Sequence, residues 1–346
     1  MKIGLVSSYA PFVNGGYRFI TEWLNSILQE NGYKSEIIYI PSTEDPGSLF
    51  EQMTAFRLLN LEDRFDRVIT FRPPSHLIKH SNKVIWFIHH IRIFYDLWGT
   101  SYFPARADDK YMESFRKNLI NADTAALNEA KIVYANSKAV AQRLKKYNNV
   151  NSEVLYPPVL KPERFFNKSY GDEIISICRI EPHKRQHLLI EAMRFVKSGV
   201  KLRICGLGTD ENYINRIKSL ISLYNLKDKV FFENRWISED EKIEYLSAAL
   251  ANAYIPFDED SYGYPVIEAA LSKKSTITSS DSGGVSEFVT DGVNGLIVSN
   301  SPEDIAGAFD SLFLDKKTAE ELGGRSYERL EELGINWQNV LKKLLA

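Results

Sequence analysis

Short apolar runs alternate with amphipathic, helix-spaced segments along the whole chain. Residues 3–6, Ile-Gly-Leu-Val, read as a buried strand, and residues 7–16 follow as a loop. From Tyr17 to Gln29 the apolar positions Phe19, Ile20, Trp23, Leu24, Ile27 and Leu28 fall at helical spacing, and Asn31-Gly32 stops the run. Further strands are predicted at 37–40, 68–71, 84–88 and 130–135, with Ser137 capping a helix that starts at Lys138. Residues 154–159 are extended, because proline drives its predecessor out of the helical region. The alternation restarts with a strand at 174–178 and a helix at 186–196. Strands at 201–205, 230–232, 253–256, 275–278 and 294–298 then interleave with helices at 212–224, 239–249, 266–271 and 286–289. Helices at 302–314, 316–332 and 336–346 close the chain.

Two successive α/β alternations, with no repeat of solenoid period, predict an α/β protein of two doubly wound, Rossmann-like domains facing across a cleft. The polar, turn-rich stretch 161–171 places the boundary, giving an N-terminal domain at 1–160 and a C-terminal domain at 161–335. The last helix, 336–346, could pack back on the first domain. The crevice between two such domains is the expected ligand site.

Composition narrows the classes. A chain of 346 residues is comfortable for two domains, and a net charge of −2 gives no sign of a nucleic-acid binder. Residues 1–155 carry +3 and the remainder −5, which is compatible with an anionic acceptor or a peripheral membrane contact on the N-terminal side. Cys178 and Cys205 lie in strand-like runs and read as reduced thiols of a cytoplasmic protein. The N-terminus is a strand rather than a signal peptide, and no apolar run reaches the ~20 residues that span a bilayer.

The densest chemistry lies at 257–270. Asp260 and Glu268 are eight positions apart, with Tyr262, Gly263, Tyr264 and Pro265 between them. Gly263 lets backbone approach a ligand, Pro265 suits a first helical turn, and two carboxylates can accept hydrogen bonds from sugar hydroxyls. Spacing alone leaves an acidic loop and a solvated helix residue equally open. Arg179 and Lys184 share the loop after strand 174–178, where two cations can straddle a diphosphate, with Arg185 as a third. Gly15-Gly16, Gly206-Leu207-Gly208 and Gly283-Gly284 are glycine loops after strands, each either a simple turn or a backbone approach to a ligand. His89-His90 ends strand 84–88, and residues 91–117 are rich in aromatic side chains and include Arg92, Arg106 and Arg116. That stretch reads either as an acceptor-lining surface or as an amphipathic flap.

An acid, seven residues containing Gly-x-Pro, then Glu resembles the E-x7-E motif of retaining glycosyltransferases of the GT-B fold, most closely glycosyltransferase family 4. This chain departs from the motif in carrying Asp260 as the first acid, with Glu259 beside it. Arg179 and Lys184 resemble the family's Arg-x4-Lys diphosphate clamp. Gly283 to Glu287 resembles its Gly-Gly-x-x-Glu loop, and Gly15-Gly16 its N-terminal Gly-Gly loop. The family also carries a His beside the donor sugar, for which His89 continues the strand more directly than His90, and it places the 206–208 loop and the region of Trp236 around the nucleotide base. The resemblance is strongest over 174–298. It implies transfer of a hexosyl unit, with retention and without metal or other cofactor, from a UDP- or GDP-linked sugar to a glycan, lipid-linked or small-molecule acceptor. Tyr156-Pro157-Pro158-Val159 is similar to a linker found among users of GDP-mannose, and elsewhere. The implied roles are leaving-group neutralisation by Arg179 and Lys184, sugar contacts from Asp260, His89 and the loop 262–265, and ribose contacts from Glu268. Two alternatives remain: a non-catalytic sugar-nucleotide module, and an inverting GT-B transferase with His89 or His90 as base. A Rossmann oxidoreductase would need G-x-G-x-x-G after the first strand, which is absent.

Overall fold

A computed structural model describes residues 1–10, 16–43, 45–100, 109–259 and 261–346. The chain divides into two compact units, Met1–Pro157 together with Asn336–Ala346, and Pro158–Ile335.

In the first unit β1 (Lys2–Tyr9), α1 (Gly16–Glu30), β2 (Lys34–Pro41), α2 (Leu49–Leu58), β3 (Arg67–Thr70), β4 (Lys83–Phe87), α3 (Lys110–Asn128), β5 (Ile132–Ala135), α4 (Lys138–Asn148) and β6 (Glu153–Val154) follow in order. The strands form one parallel sheet in the order β2-β1-β3-β4-β5-β6. Residues such as Ile3, Leu5, Val68, Ile69 and Ile85 are wholly buried, as expected of a parallel sheet covered by helices. Ser137 does cap α4, accepting from the Val140 amide at 3.1 Å. Helix α2 carries no strong sequence signal and was not predicted; Leu49, Met53 and Phe56 are what bind it to the core. Strand β4 opens on Lys83, which is fully buried. Its ammonium donates to the carbonyls of His76, Ile78 and Ala126 at 2.9–3.1 Å, and burial pulls its pKa down to about 8.

The second unit runs β7 (Glu173–Ile177), α5 (Gln186–Ala192), β8 (Lys201–Gly206), α6 (Glu211–Leu223), β9 (Val230–Asn234), α7 (Glu239–Ala248), β10 (Ala251–Ala253), α8 (Tyr264–Leu271), β11 (Thr276–Ser279), α9 (Val285–Phe288), β12 (Gly295–Val298), α10 (Pro302–Leu314) and α11 (Lys316–Glu332). Its parallel sheet has the order β12-β11-β10-β7-β8-β9, the doubly wound Rossmann arrangement, which reverses direction between β7 and β10. The final helix, α12 (Trp337–Leu345), belongs to the first unit. Arg67 of β3 donates to its terminal carbonyls, Leu344 at 2.6 Å and Ala346 at 2.8 Å.

Two predicted elements end early, for identifiable reasons. Helix α5 stops at Ala192 rather than 196, because the Asp310 carboxylate captures the Lys197 and Ser198 amides at 3.0 and 2.9 Å and fixes a turn. Strand β10 stops at Ala253, because Pro256 has no amide to donate and the carbonyls of Ile255 and Pro256 turn to the Arg185 guanidinium, at 2.7 and 2.8 Å. The two cysteines are free, and they are backbone neighbours: Cys178 donates its amide to the Cys205 carbonyl at 3.1 Å. No helix among the described residues is long and apolar enough to cross a membrane.

The core of the second unit gathers Ile204, Ile217, Ile277, Ile305 and Phe309 from strands and helices. Phe309 is fully buried there. Phe309→Ala should cost about 3–5 kcal/mol by lost burial and cavity formation, read as a lowered urea midpoint. A change below ~1 kcal/mol would mean that α10 is not part of this core.

Candidate active site

The loops leaving β7 and β10 lie where the strand order of the second unit reverses, the position at which open α/β sheets bind ligands. Residues 178–185 form one loop, and residues 254–259 and 261–263 belong to the other. They are stitched together by the Phe257 amide donating to the His183 carbonyl at 2.8 Å.

Lys184 sits at the junction. Its ammonium donates to the Tyr254 hydroxyl at 2.8 Å and to Oε2 of Glu259, and the Tyr254 hydroxyl donates to the same oxygen at 2.6 Å. The side chains of Lys184 and Glu259 are only 8% and 17% exposed. Burial pushes the Glu259 carboxyl up, but the Lys184 charge and the hydrogen bonds from Lys184 and Tyr254 outweigh it and hold the pKa at about 2. Burial, reinforced by Lys184, draws neighbouring His183 down to about 4.

The other cations of the loop also have carboxylate partners. Arg179 is half-exposed and donates to Glu181 at 2.5 Å. Arg185 has a left-handed backbone (φ 56°) and forks onto Asp281 at 2.7 and 2.8 Å, while also donating to Ser279 and to the 255 and 256 carbonyls. Arg185 is therefore a brace between loops. Arg179 and Lys184 share this loop, the first half-exposed and the second buried.

The glycines have identifiable neighbours. Gly283 has φ +61°, and a Cβ there would stand 2.6 Å from the backbone N and O of Glu259. A Cβ on Gly284 would meet Ser261 backbone at 2.8 Å, and its amide donates to the Glu259 carbonyl at 2.9 Å. The pair thus lets the acidic loop lie flat on the 279–285 turn. Gly263 has φ +74°, with a Cβ position 2.6 Å from the Tyr254 ring, and Gly206 has φ +149°, with a Cβ position 1.8 Å from the Cys178 carbonyl. These close approaches are to protein, not to empty space. They seat the loops around Lys184.

The remaining candidates have distinct surroundings. Glu268 lies within α8, buried, and accepts from Lys242 of α7 at 2.6 Å; burial raises its pKa, and Lys242 offsets this in part. Tyr262 is buried edge-to-face against Phe288, and Tyr264 opens α8. Trp236 is 58% exposed beyond β9. Gly15 and Asp260 lie outside the described residues, as does Arg106; Gly16 opens α1.

In the first unit His90 is buried. Its Nε2 pairs with Asn148 Oδ1 at 2.9 Å, its ring packs 4.2 Å from Tyr95, and burial lowers its pKa to about 4. His89 is half-buried, and its Nδ1 lies 2.6 Å from the His90 carbonyl. A carbonyl only accepts, so Nδ1 carries hydrogen, and in the neutral ring Nε2 is left as an acceptor. Sequence reasoning missed three partners: Tyr254, read as part of a strand, Lys242, and Asp281 as the anchor of Arg185.

Residues 162–329 match the model of the family described as Glycosyl transferases group 1. A stretch of 173 residues is 27% identical to a poly(ribitol-phosphate) alpha-N-acetylglucosaminyltransferase of Staphylococcus aureus, covering 49% of this chain and 34% of that relative, so the match spans about a third of the relative's length. Among solved structures, a sucrose-phosphate synthase from Thermosynechococcus elongatus superposes with TM-score 0.77 at 18% identity, covering 99% of this chain and 97% of the other. Anabaena HepE in complex with UDP and glucose superposes with TM-score 0.70 at 14% identity, covering 99% and 100%. At these identities the structural matches establish the fold: two parallel six-stranded α/β units of the GT-B type.

Gly283→Ala should force the backbone of Asp258 and Glu259 off the 279–285 turn, costing about 1–3 kcal/mol in strained backbone. The measurement is thermal unfolding compared with Gly307→Ala, a position where a Cβ meets nothing within 4 Å. Equal effects of the two substitutions would contradict the packing described.

Proposed function

We propose that this chain, whose residues 162–329 match the model of the Glycosyl transferases group 1 family, moves a hexosyl unit from a nucleotide-diphosphate sugar to a hydroxyl of a glycan, lipid-linked or small-molecule acceptor. Retention of anomeric configuration and independence from metal are part of this reading. The observation that carries it is the position of Arg179 and Lys184 on the loop leaving β7, at the reversal of strand order.

The chemistry asks for little else. The acceptor hydroxyl attacks the anomeric carbon on the face from which the diphosphate departs. The bond from that carbon to the diphosphate oxygen breaks as the new glycosidic bond forms, and the hydroxyl proton passes to the leaving phosphate oxygen. Negative charge grows on the diphosphate, where Arg179 and Lys184 meet it. Asp260 and residues 262–264 hold the sugar, Glu268 holds the ribose, and Gly15, Gly16, Gly206, Trp236, Gly283 and Gly284 border the nucleotide. The Nε2 of His89 receives a sugar hydroxyl.

A UDP-linked donor is favoured over a GDP-linked one by the UDP-bound structural neighbour, and an N-acetylglucosaminyl donor by the Staphylococcus relative. That relative's acceptor, a polyol-phosphate polymer by its name, fits the +3 charge of residues 1–155. The relative's product is α-linked by its name, and transfer from an α-linked nucleotide sugar with that outcome is retention.

Arg179 is half-exposed, so Arg179→Ala should leave the fold intact. Turnover should fall on the order of 10²–10³. Product analysis by NMR should give the donor's anomeric configuration. Unchanged turnover in the variant would refute the clamp, and an inverted product would refute the front-face mechanism.

A further inference from the structure

We infer that Glu259 is a specificity-determining residue that favours the nucleotide sugar over the nucleoside diphosphate left after transfer. This rests on the reading of Lys184 as a diphosphate ligand. Glu259 does not hold the sugar; its carboxylate is committed to Lys184 and Tyr254.

The geometry sets up the discrimination. An ammonium has three N–H groups. Tyr254 and Glu259 take two of those on Lys184, leaving one for a ligand phosphate. A diphosphate bound there shares its cation with a fixed carboxylate. Glu259 is held in place from both sides: its amide donates to the Ser282 carbonyl at 3.3 Å, and its carbonyl accepts from Gly284 at 2.9 Å. It also stays ionised, with its pKa at about 2. Among the described residues, the charged and titratable groups that act on the pair include Cys178, Arg179, Glu181 and His183 from the β7 loop and Tyr254 from the β10 loop, with Asp258 adjacent in sequence. Arg179 and Arg185 are each paired with another carboxylate, Glu181 and Asp281, so Lys184 is the cation of this loop that Glu259 offsets, and a phosphate on Lys184 meets that carboxylate as well.

Repulsion from a fixed anion scales with ligand charge. A nucleotide sugar carries one charge on each of its two phosphates. The free nucleoside diphosphate gains a further ionisation with a pKa near 6, so above that pH it is the more negative ligand. Glu259 therefore weakens the product more than the donor, which helps the product to leave.

The test measures dissociation constants by calorimetry at about pH 8, where that ionisation is complete. It uses the full chain and the pairs UDP with UDP-N-acetylglucosamine and GDP with GDP-mannose. In Glu259→Gln, which keeps a hydrogen-bond acceptor but removes the charge, the nucleoside diphosphate should tighten about tenfold relative to its sugar. Glu259→Asp, which keeps the charge, should preserve the wild-type ratio. A structural role alone would move both ligands together, so an unchanged ratio in Glu259→Gln overturns the inference while leaving the transferase reading intact. Wild-type protein that binds none of the four ligands overturns both.

Discussion

A buried ammonium is tolerable only when it is paired, and the second unit is built around one such case. Lys184, Glu259 and Tyr254 close a three-membered hydrogen-bonded ring at the carboxyl ends of β7 and β10. Two loops must be brought together to form it, and each is bent to do so. Arg185 adopts a left-handed backbone and braces the far side through Asp281. Gly283 takes the one backbone conformation that lets Glu259 lie against it. The ring is thus the product of the sheet topology, a left-handed residue in one loop, a glycine turn under the other and a guanidinium brace acting together.

That arrangement explains why so much of the chemistry lies in loops while the sheets stay apolar. The strands supply a rigid parallel base, with Ile174, Leu202, Ile204 and Ile277 fully buried. The reversal of strand order opens space only at their carboxyl ends. Charges gathered there are balanced before any ligand arrives: Arg179 by Glu181, Lys184 by Glu259, Arg185 by Asp281, and Lys242 by Glu268. A site of balanced charges selects for ligands that can exchange partners with it, and a diphosphate bearing hydroxyl-rich groups at both ends has the chemistry to do so.

The alternation of strand and helix was legible in the sequence because its period and its punctuation agreed. The Ser137 cap, the segments at 302–314 and 316–332 and the strand runs at 3–6 and 68–71 all carried both signals. Where the two signals parted, the reading slipped. Residues 253–256 are apolar enough for a strand, but their carbonyls serve Arg185. Residues 193–196 are helix-compatible, but Asp310, more than a hundred positions away, turns the chain there. At the site, Arg179 and Lys184 stood out by type and by position after a strand. Their carboxylate partners did not, since Glu259 read as a neighbour of Asp260 able to stand in for the motif's first acid and Asp281 simply as an acid in a polar loop. A lysine inside a strand, as Lys83 is, gives no local hint that three carbonyls await it. The glycines were visible as loop residues, but their protein neighbours were not: a Cβ at Gly206, Gly263 or Gly283 would meet Cys178, Tyr254 or Glu259.

The most direct test of the central claim is a crystal structure of the chain grown with UDP. The account predicts diphosphate density beyond the carboxyl ends of β7 and β10, with phosphate oxygens at hydrogen-bonding distance, about 3 Å, from Arg179 and from the remaining N–H of Lys184. Density for the diphosphate at any other place on the protein, with the Lys184 ring undisturbed and Arg179 still turned to Glu181, would contradict it.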